Sequence, residues 1–142
     1  MPLKDLSLTA AKNITDFSVL PTLPLERLAL QETAIRDLGI LRGLSLKFLN
    51  VAKTAVSDLQ PLRGMPLELL LLDETEVTDL SPLLDCPTLK EITLPPKARN
   101  VELLRQLPHV ERLSHRRAGE HPAQTAAEFW NEYDAQNAAG RK

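Results

Sequence analysis

Residues 67–83 of this 142-residue chain read LELLLLDETEVTDLSPL, and residues 46–62, which lie 21 positions earlier, read LKFLNVAKTAVSDLQPL. Each apolar residue that could face a core in one segment aligns with an apolar residue in the other. The same frame extends in both directions through Leu25, Leu28, Leu30, Ile35, Leu38, Leu89, Ile92, Leu94 and Leu104. Self-similarity at this period predicts a solenoid, in which every repeat buries its apolar face against its neighbours.

The register between repeats stays close to 21 residues along the chain. Six apolar residues mark successive strand positions at spacings of 22, 21, 21, 22 and 21 residues, namely Leu6, Leu28, Leu49, Leu70, Ile92 and Leu113. Alternation around these positions is typical of short strands whose leucines point inward while the intervening residues point outward. The pattern predicts five to six repeats with one short strand each.

Two polar columns recur after the strands. Threonine follows three residues after the second strand leucine, as Thr33, Thr54 and Thr75. Its hydroxyl is expected to bond to the backbone of the turn. Aspartate follows four residues later, as Asp37, Asp58 and Asp79, where a side-chain acceptor can cap a helical turn. A unit of this length leaves room only for short helical turns on the convex side.

The repeat L-x-x-L-x-L-x-x-T-x-V-x-D-L-x-P-L resembles the short-repeat, internalin-like class of leucine-rich repeats, over roughly residues 1–113. The resemblance implies a right-handed α/β solenoid. The threonine column and the junction Gly64-Met65-Pro66-Leu67 further resemble arrays in large bacterial multidomain proteins. Such arrays often lie C-terminal to a serine/threonine protein kinase domain.

The chain divides into the repeat array (residues 1–113), a loop (114–124) and a C-terminal capping helix (125–139). The pattern Thr125-Ala126-Ala127-Glu128 is typical of a capping box, and Ala126, Trp130 and Tyr133 share one helical face. We expect Trp130 to help shield the last repeat, with partner binding by this residue as the alternative. The segment Ala126-Ala127-Glu128-Phe129-Trp130 also resembles the end of the kinase-linked arrays, where a proline usually takes the place of Thr125.

At the start of the chain, Met1-Pro2-Leu3 aligns with Met65-Pro66-Leu67. The first methionine therefore occupies a repeat position, and no polar cap is encoded before Leu3. This alignment favours a C-terminal piece of a longer protein that begins at an internal methionine codon. The alternative is a small protein whose first repeat is exposed.

Composition excludes several classes of function. The net charge of −2 gives no basic field for nucleic acid. The sequence has neither a signal-peptide pattern nor an apolar run of membrane length, so we expect no membrane insertion. The lone Cys86 stands in an apolar column and is expected to be a buried hydrophobe, and this favours a reducing, cytoplasmic compartment.

No reactive motif argues for catalysis. The five glycines are scattered, so a glycine-rich phosphate loop is absent, and the kinase signatures are missing as well. The three histidines lack cysteine or carboxylate neighbours at metal-ligand spacing. We therefore expect a protein that is not an enzyme and that uses no cofactor or metal.

The concave face of the solenoid is the remaining candidate site. Most of its outward strand residues are small or polar, but Phe48, Leu69 and Leu71 are apolar and adjoin by register. Polar and charged residues surround them, namely Arg27, Gln31, Asp73, Glu91 and Thr93. An apolar centre with a polar rim is typical of a protein-binding site, although leucine enrichment in a repetitive sequence is the simpler explanation.

Two functions follow from this pattern. One is a non-catalytic interaction module that presents its concave face to a protein or peptide partner. The other is a structural spacer or regulatory C-terminal fragment of a larger bacterial signalling protein, such as a serine/threonine protein kinase. In that second case the partner would be an upstream domain of the parent protein.

Overall fold

The computed structural model describes residues 3–119 and 121–140. Among these residues the strands are β1 (Asp5–Ser7), β2 (Arg27–Ala29), β3 (Phe48–Asn50), β4 (Leu69–Leu71), β5 (Glu91–Thr93), β6 (Arg112–Ser114), β7 (Arg117–Ala118) and β8 (His121–Pro122). Helix α1 covers Ala126–Gly140, and 3₁₀ helices cover Leu20–Thr22, Leu38–Leu41, Gln60–Leu62, Ser81–Asp85 and Val101–Gln106. The alignment of Met1 and Pro2 with a repeat junction lies outside the described residues.

Strands β1 to β6 form one parallel sheet in chain order. The register joins equivalent positions of successive repeats, so that Leu49 lies opposite Leu28 on one side and Leu70 on the other. The 3₁₀ helices of successive repeats lie against one another on the convex side. Because parallel crossovers of this kind are right-handed, the predicted fold class is confirmed: a right-handed α/β leucine-rich-repeat solenoid with a C-terminal capping helix.

The core is a single apolar layer between the sheet and the 3₁₀ helices. The middle residue of each strand from β2 to β6 is fully buried, and this set is Leu28, Leu49, Leu70, Ile92 and Leu113. Leu6 of β1 packs against the same core but is only partly buried, because β1 lies at the edge of the sheet. Burial of such a side chain contributes about 2 kcal/mol, so stability accumulates repeat by repeat.

The polar columns hold the turns of each repeat. The hydroxyls of Thr33, Thr54 and Thr75 donate to the carbonyl oxygens of Leu30, Val51 and Leu72 at 2.7, 2.6 and 2.8 Å. The carboxylates of Asp37, Asp58 and Asp79 accept the backbone N–H groups of Gly39, Gln60 and Ser81 at 2.7, 2.9 and 2.9 Å. These bonds satisfy backbone groups that the tight turns leave without a ladder partner.

Helix α1 closes the C-terminal end of the core. Within residues 126–136, Phe129 is the most deeply buried side chain of the helix, with 6% of its surface exposed, while Trp130 and Tyr133 are partly buried against the same cluster. The guanidinium of Arg105 lies 4.2 Å from the centroid of the Trp130 ring. Trp130 therefore covers the outside of the cap, and Phe129, which the sequence interpretation did not single out, fills its centre.

The segment predicted as a loop (114–124) differs from that expectation. It contains the antiparallel pair of β7 and β8, in which Arg117 lies opposite Pro122 and Ala118 opposite His121. The side chains at Arg117 and His121 contact the concave face, as described below. We refer to residues 117–119 and 121–122 as the C-terminal hairpin.

Candidate partner-binding face

The outward residues of β3 and β4 form an apolar cluster on the concave side. Phe48, Leu69 and Leu71 pack together, separate from the main core, and Ala29 lies against them. The sequence interpretation expected these three side chains to be exposed, and that expectation is wrong. Phe48 and Leu69 are 7% and 8% exposed and Leu71 is fully buried, because the C-terminal hairpin folds back over this side of the sheet.

Arg117 of β7 attaches the hairpin to the centre of the concave face. Its Nη2 donates to Oε1 of Gln31 at 2.8 Å, and its Nε lies 3.2 Å from Oδ2 of Asp73. Gln31 follows β2 and Asp73 follows β4, so one guanidinium bridges the two repeats on either side of the β3 repeat. The side chains of Arg117 and Asp73 are only 18% and 13% exposed, so solvent screens this ion pair weakly.

The array itself orients both acceptors. Oε1 of Gln31 also accepts from Nδ2 of Asn50 at 2.9 Å, and Oδ1 of Asp73 accepts from the hydroxyl of Thr93 at 2.8 Å. Asn50 and Thr93 are buried, with 6% and 0% of their surface exposed. Gln31 and Asp73, which we call the acceptor pair, are therefore positioned by strand residues and not by the hairpin alone.

Strand β8 makes a second attachment. Nδ1 of His121 lies 2.9 Å from Oε1 of Glu91, and Nε of Arg112 donates to the carbonyl oxygen of Pro122 at 3.1 Å. Pro122 is buried, whereas Ala118, Gly119 and His121 are exposed. Polar bonds therefore make up most of the contact between the hairpin and the sheet.

The N-terminal half of the concave face stays open. An open groove there is lined by outward residues of the first three strands and by the edge of the hairpin, including Asp5, Ser7, Arg27, Gln31, Phe48 and Arg117. The guanidinium of Arg27 lies 4.4 Å from the centroid of the Phe48 ring, close enough for a cation–π contact. Arg27 is exposed and, among the described residues, has no carboxylate in salt-bridge contact. Its donors face the groove.

A column of alternating charge borders the concave face. The residues directly before the strands are Lys4, Glu26, Lys47, Glu68, Lys90 and Glu111. Glu26 lies 3.8 Å from Lys4 and 3.7 Å from Lys47, and Lys90 lies 3.5 Å from Glu68. Neighbouring residues of this column always carry opposite charges, so a shift of one repeat's strand against the next would lose these pairs. Each pair is exposed and stabilises the fold only weakly.

The site residues predicted from sequence are divided between the two halves. Arg27 lies in the open groove on Phe48, whereas Asp73 and Glu91 bind the hairpin through Arg117 and His121. The sequence interpretation did not assign Arg117 and His121 to the site. Charge was the one feature of the sequence that could have predicted this contact. A basic segment follows β6, and the carboxylates of Asp73 and Glu91 face outward from the middle of the array.

The structure offers few other reactive groups. No cluster of three or more histidine, cysteine, aspartate or glutamate side chains within residues 3–119 and 121–140 is placed to hold a metal ion. Burial raises the pKa of the Cys86 thiol, so this side chain stays neutral within the core. In the part of the chain that is described, no helix has the length and apolar character needed to cross a membrane.

Comparison with known proteins supports the fold assignment. No family model matches the chain, and no curated protein matches it. Among solved structures, internalin C2 of Listeria monocytogenes strain 4b F2365, determined at 1.90 Å, is similar with a TM-score of 0.73 and 32% sequence identity. The match covers 78% of this chain and 50% of internalin C2, so the chain spans half the length of that protein. The chain therefore has an internalin-like leucine-rich-repeat fold.

Proposed function

We propose that this protein is a non-catalytic interaction module whose concave face binds a protein or peptide segment. The carrying observation is the open groove beside the hairpin, where Arg27 stacks on Phe48 without an ion-pair partner among the described residues. Solenoids of this type create extended concave binding surfaces. The internalin-like fold supports the same class of function.

The chemistry of the groove defines what a partner segment would present. The edge of the Phe48 ring contributes a small apolar surface to the groove lining, and the planar guanidinium of Arg27 matches a carboxylate or a pair of backbone carbonyls. Stacking on Phe48 holds the guanidinium in place, so little side-chain freedom is lost on binding. We propose that Arg27 and Phe48 contribute most of the affinity. Leu69 and Leu71 support them by packing against Phe48, and Asp73 and Glu91 hold the hairpin beside the groove.

A display library of random peptides, selected on the purified protein, tests this proposal even though the partner is unidentified. Selected peptides should lose at least about tenfold in affinity for Arg27→Glu and for Phe48→Ala, since contacts of this kind are worth more than about 1.4 kcal/mol. Arg36→Glu is the matched control, because Arg36 is exposed outside the groove and carries the same charge change. Failure to select any peptide, or equal binding to the Arg27→Glu and Arg36→Glu variants, would refute the proposal.

A second candidate function is a structural or regulatory part of a larger bacterial signalling protein, with a serine/threonine protein kinase as the parent that the repeats resemble. It is favoured by the hairpin, which already occupies the C-terminal half of the concave face. A surface closed by its own chain is compatible with a spacer. For a spacer, the groove variants and the Arg36→Glu control would behave alike towards any isolated parent domain. For a regulatory part, the patch of Phe48, Leu69 and Leu71 would bind a domain of the parent protein and no separate protein.

The single cysteine, which is a free thiol, provides an argument about the cellular compartment of the protein. We propose a reducing, cytoplasmic environment, because Cys86 is buried in the core and has no disulfide partner. Labelling of the native protein with a thiol reagent should be slow, and labelling should become complete after denaturation in urea.

A further inference from the structure

The contacts between the hairpin and the array are of a kind that another chain could supply. They consist mainly of charged and polar side-chain bonds, from Arg117 to the acceptor pair and from His121 to Glu91. Within the described residues of the hairpin, only Pro122 is buried. A segment held in this way can leave the sheet without exposing the main core.

The receiving side remains organised when the hairpin leaves. The two acceptor side chains, Gln31 and Asp73, are held by bonds to the buried side chains of Asn50 and Thr93. Two acceptors that flank one guanidinium match the fork of donors that arginine presents, and a lysine ammonium cannot fill both positions in the same plane. The acceptor pair is therefore a preformed arginine site.

We propose that the acceptor pair, together with Glu91, is a recognition site for an arginine-bearing turn of a partner protein. The C-terminal hairpin occupies this site in cis and is displaced when the partner binds. The inference rests on the proposed function of the concave face, and it adds the chemistry of the partner and a means of regulation. Displacement takes Arg117 and Gly119 away from the edge of the open groove and so joins the covered half of the face to it.

Competition between the tethered hairpin and a free ligand sets the expected affinities. A short tether gives the hairpin an effective concentration on the order of millimolar, so the wild-type protein binds a free ligand weakly. A variant with weaker bonds between the hairpin and the sheet leaves the acceptor pair empty in more of the molecules. The apparent affinity for a free ligand then rises in proportion to the fraction of molecules whose site is empty. A partner with further contacts in the open groove would overcome this competition.

The probe is a synthetic peptide with the sequence of residues 114–124, SHRRAGEHPAQ, labelled at its N-terminus. It is added to the full chain carrying Arg117→Ala and His121→Ala, and binding is followed by fluorescence anisotropy and by NMR shifts of the backbone amides of Asp73 and Thr93. We expect saturable binding that is at least about fivefold tighter than to the wild-type chain. Binding should be lost when Asp73→Asn is added to the double variant.

The arginine requirement is tested in the peptide itself. A peptide with Arg117→Lys should bind at least about fivefold more weakly, whereas Arg116→Lys should leave binding unchanged, because the bonds to the acceptor pair come from Arg117. Circular dichroism checks that the double variant is folded. If it is not, the single variant Arg117→Gln takes its place in the same measurements.

Each remaining outcome decides the question. Absence of shifts at several millimolar peptide, or equal binding to the Asp73→Asn variant, would overturn the inference. The proposed function is judged separately by the Arg27 and Phe48 variants, which do not touch the acceptor pair. If the hairpin peptide fails to bind but the selected peptides still bind through Arg27 and Phe48, the proposed interaction function stands. In that case the displacement of the hairpin by a partner is refuted.

Discussion

The Nε of Arg117 lies 3.2 Å from Oδ2 of Asp73, and this ion pair joins the C-terminal hairpin to the turn that follows β4. Because both side chains are largely buried, their attraction is stronger than that of the exposed pairs along the rim. The pair also fixes the hairpin beside β5 and β6, so the C-terminal half of the concave face is closed by its own chain.

Removal of the guanidinium should therefore destabilise the protein. We expect Arg117→Ala to lower the free energy of unfolding by about 1–3 kcal/mol, because the carboxylate of Asp73 loses its charged partner and keeps its bond to Thr93. Arg117→Lys should lose less, since the charge remains. Urea unfolding of both variants and of Asp73→Asn gives a double-mutant cycle. Additive effects of Arg117→Ala and Asp73→Asn would contradict the coupling.

The cap offers a second test, because two of its three aromatic side chains, Phe129 and Trp130, differ in how deeply they are buried. Phe129→Ala should cost about 3–5 kcal/mol, as removal of a buried ring leaves a cavity at the end of the core. Trp130→Ala should cost clearly less, because this ring is only partly buried and loses edge contacts with Phe129 and Tyr133 and the stacking of Arg105. Equal losses in urea midpoint for the two variants would show that the helix docks by a different face.

The repeat array was predictable from the sequence because its buried apolar residues recur at a nearly constant spacing. The six strand leucines and isoleucines recur at nearly constant spacing, and each had to pack on its neighbours. The start of α1 was equally local. Thr125 Oγ1 accepts the backbone N–H of Glu128 at 3.2 Å, and Oε1 of Glu128 accepts the backbone N–H of Thr125 at 2.9 Å. Four residues carry that whole signal.

The closed state of the concave face was not predictable in the same way. Alternation correctly separates the two sides of each strand, but it says nothing of what lies over the outward side. The hairpin has no repeat to align with, and its bond from Arg117 to Gln31 spans 86 positions in the sequence. Similarly, the periodicity of α1 placed Trp130 and Tyr133 on the docking face without ranking Phe129 above them.

Neighbouring leucines of β4 separate the main core from the covered face. Leu70→Asp should unfold the chain, because it places an unpaired charge in a core that is one layer thick. Leu71→Ser should leave the array folded and cost about 2–4 kcal/mol, with faster hydrogen exchange in the hairpin. Far-UV circular dichroism and amide exchange measure both outcomes. Retention of native stability by Leu70→Asp would contradict the assignment of its side chain to the core.

The capping box makes the stability depend on pH in a defined direction. Bonds from the backbone N–H and the hydroxyl of Thr125 lower the pKa of Glu128 below its usual value of 4.5. A lowered folded-state pKa means that the stabilisation is complete above the unfolded-state value and is lost as the pH falls through the folded-state value. The wild-type chain should therefore be more stable than Glu128→Gln at about pH 6, and the difference should shrink as the pH falls below 4.5 and through the folded-state pKa. Thr125→Ala, which removes the hydroxyl of the cap, should cost about 1 kcal/mol at the higher pH. It should weaken the pH dependence without abolishing it, because the backbone N–H at position 125 still donates to Glu128. Urea unfolding across this range measures both effects, and a gap between wild type and Glu128→Gln that widens on acidification would contradict them.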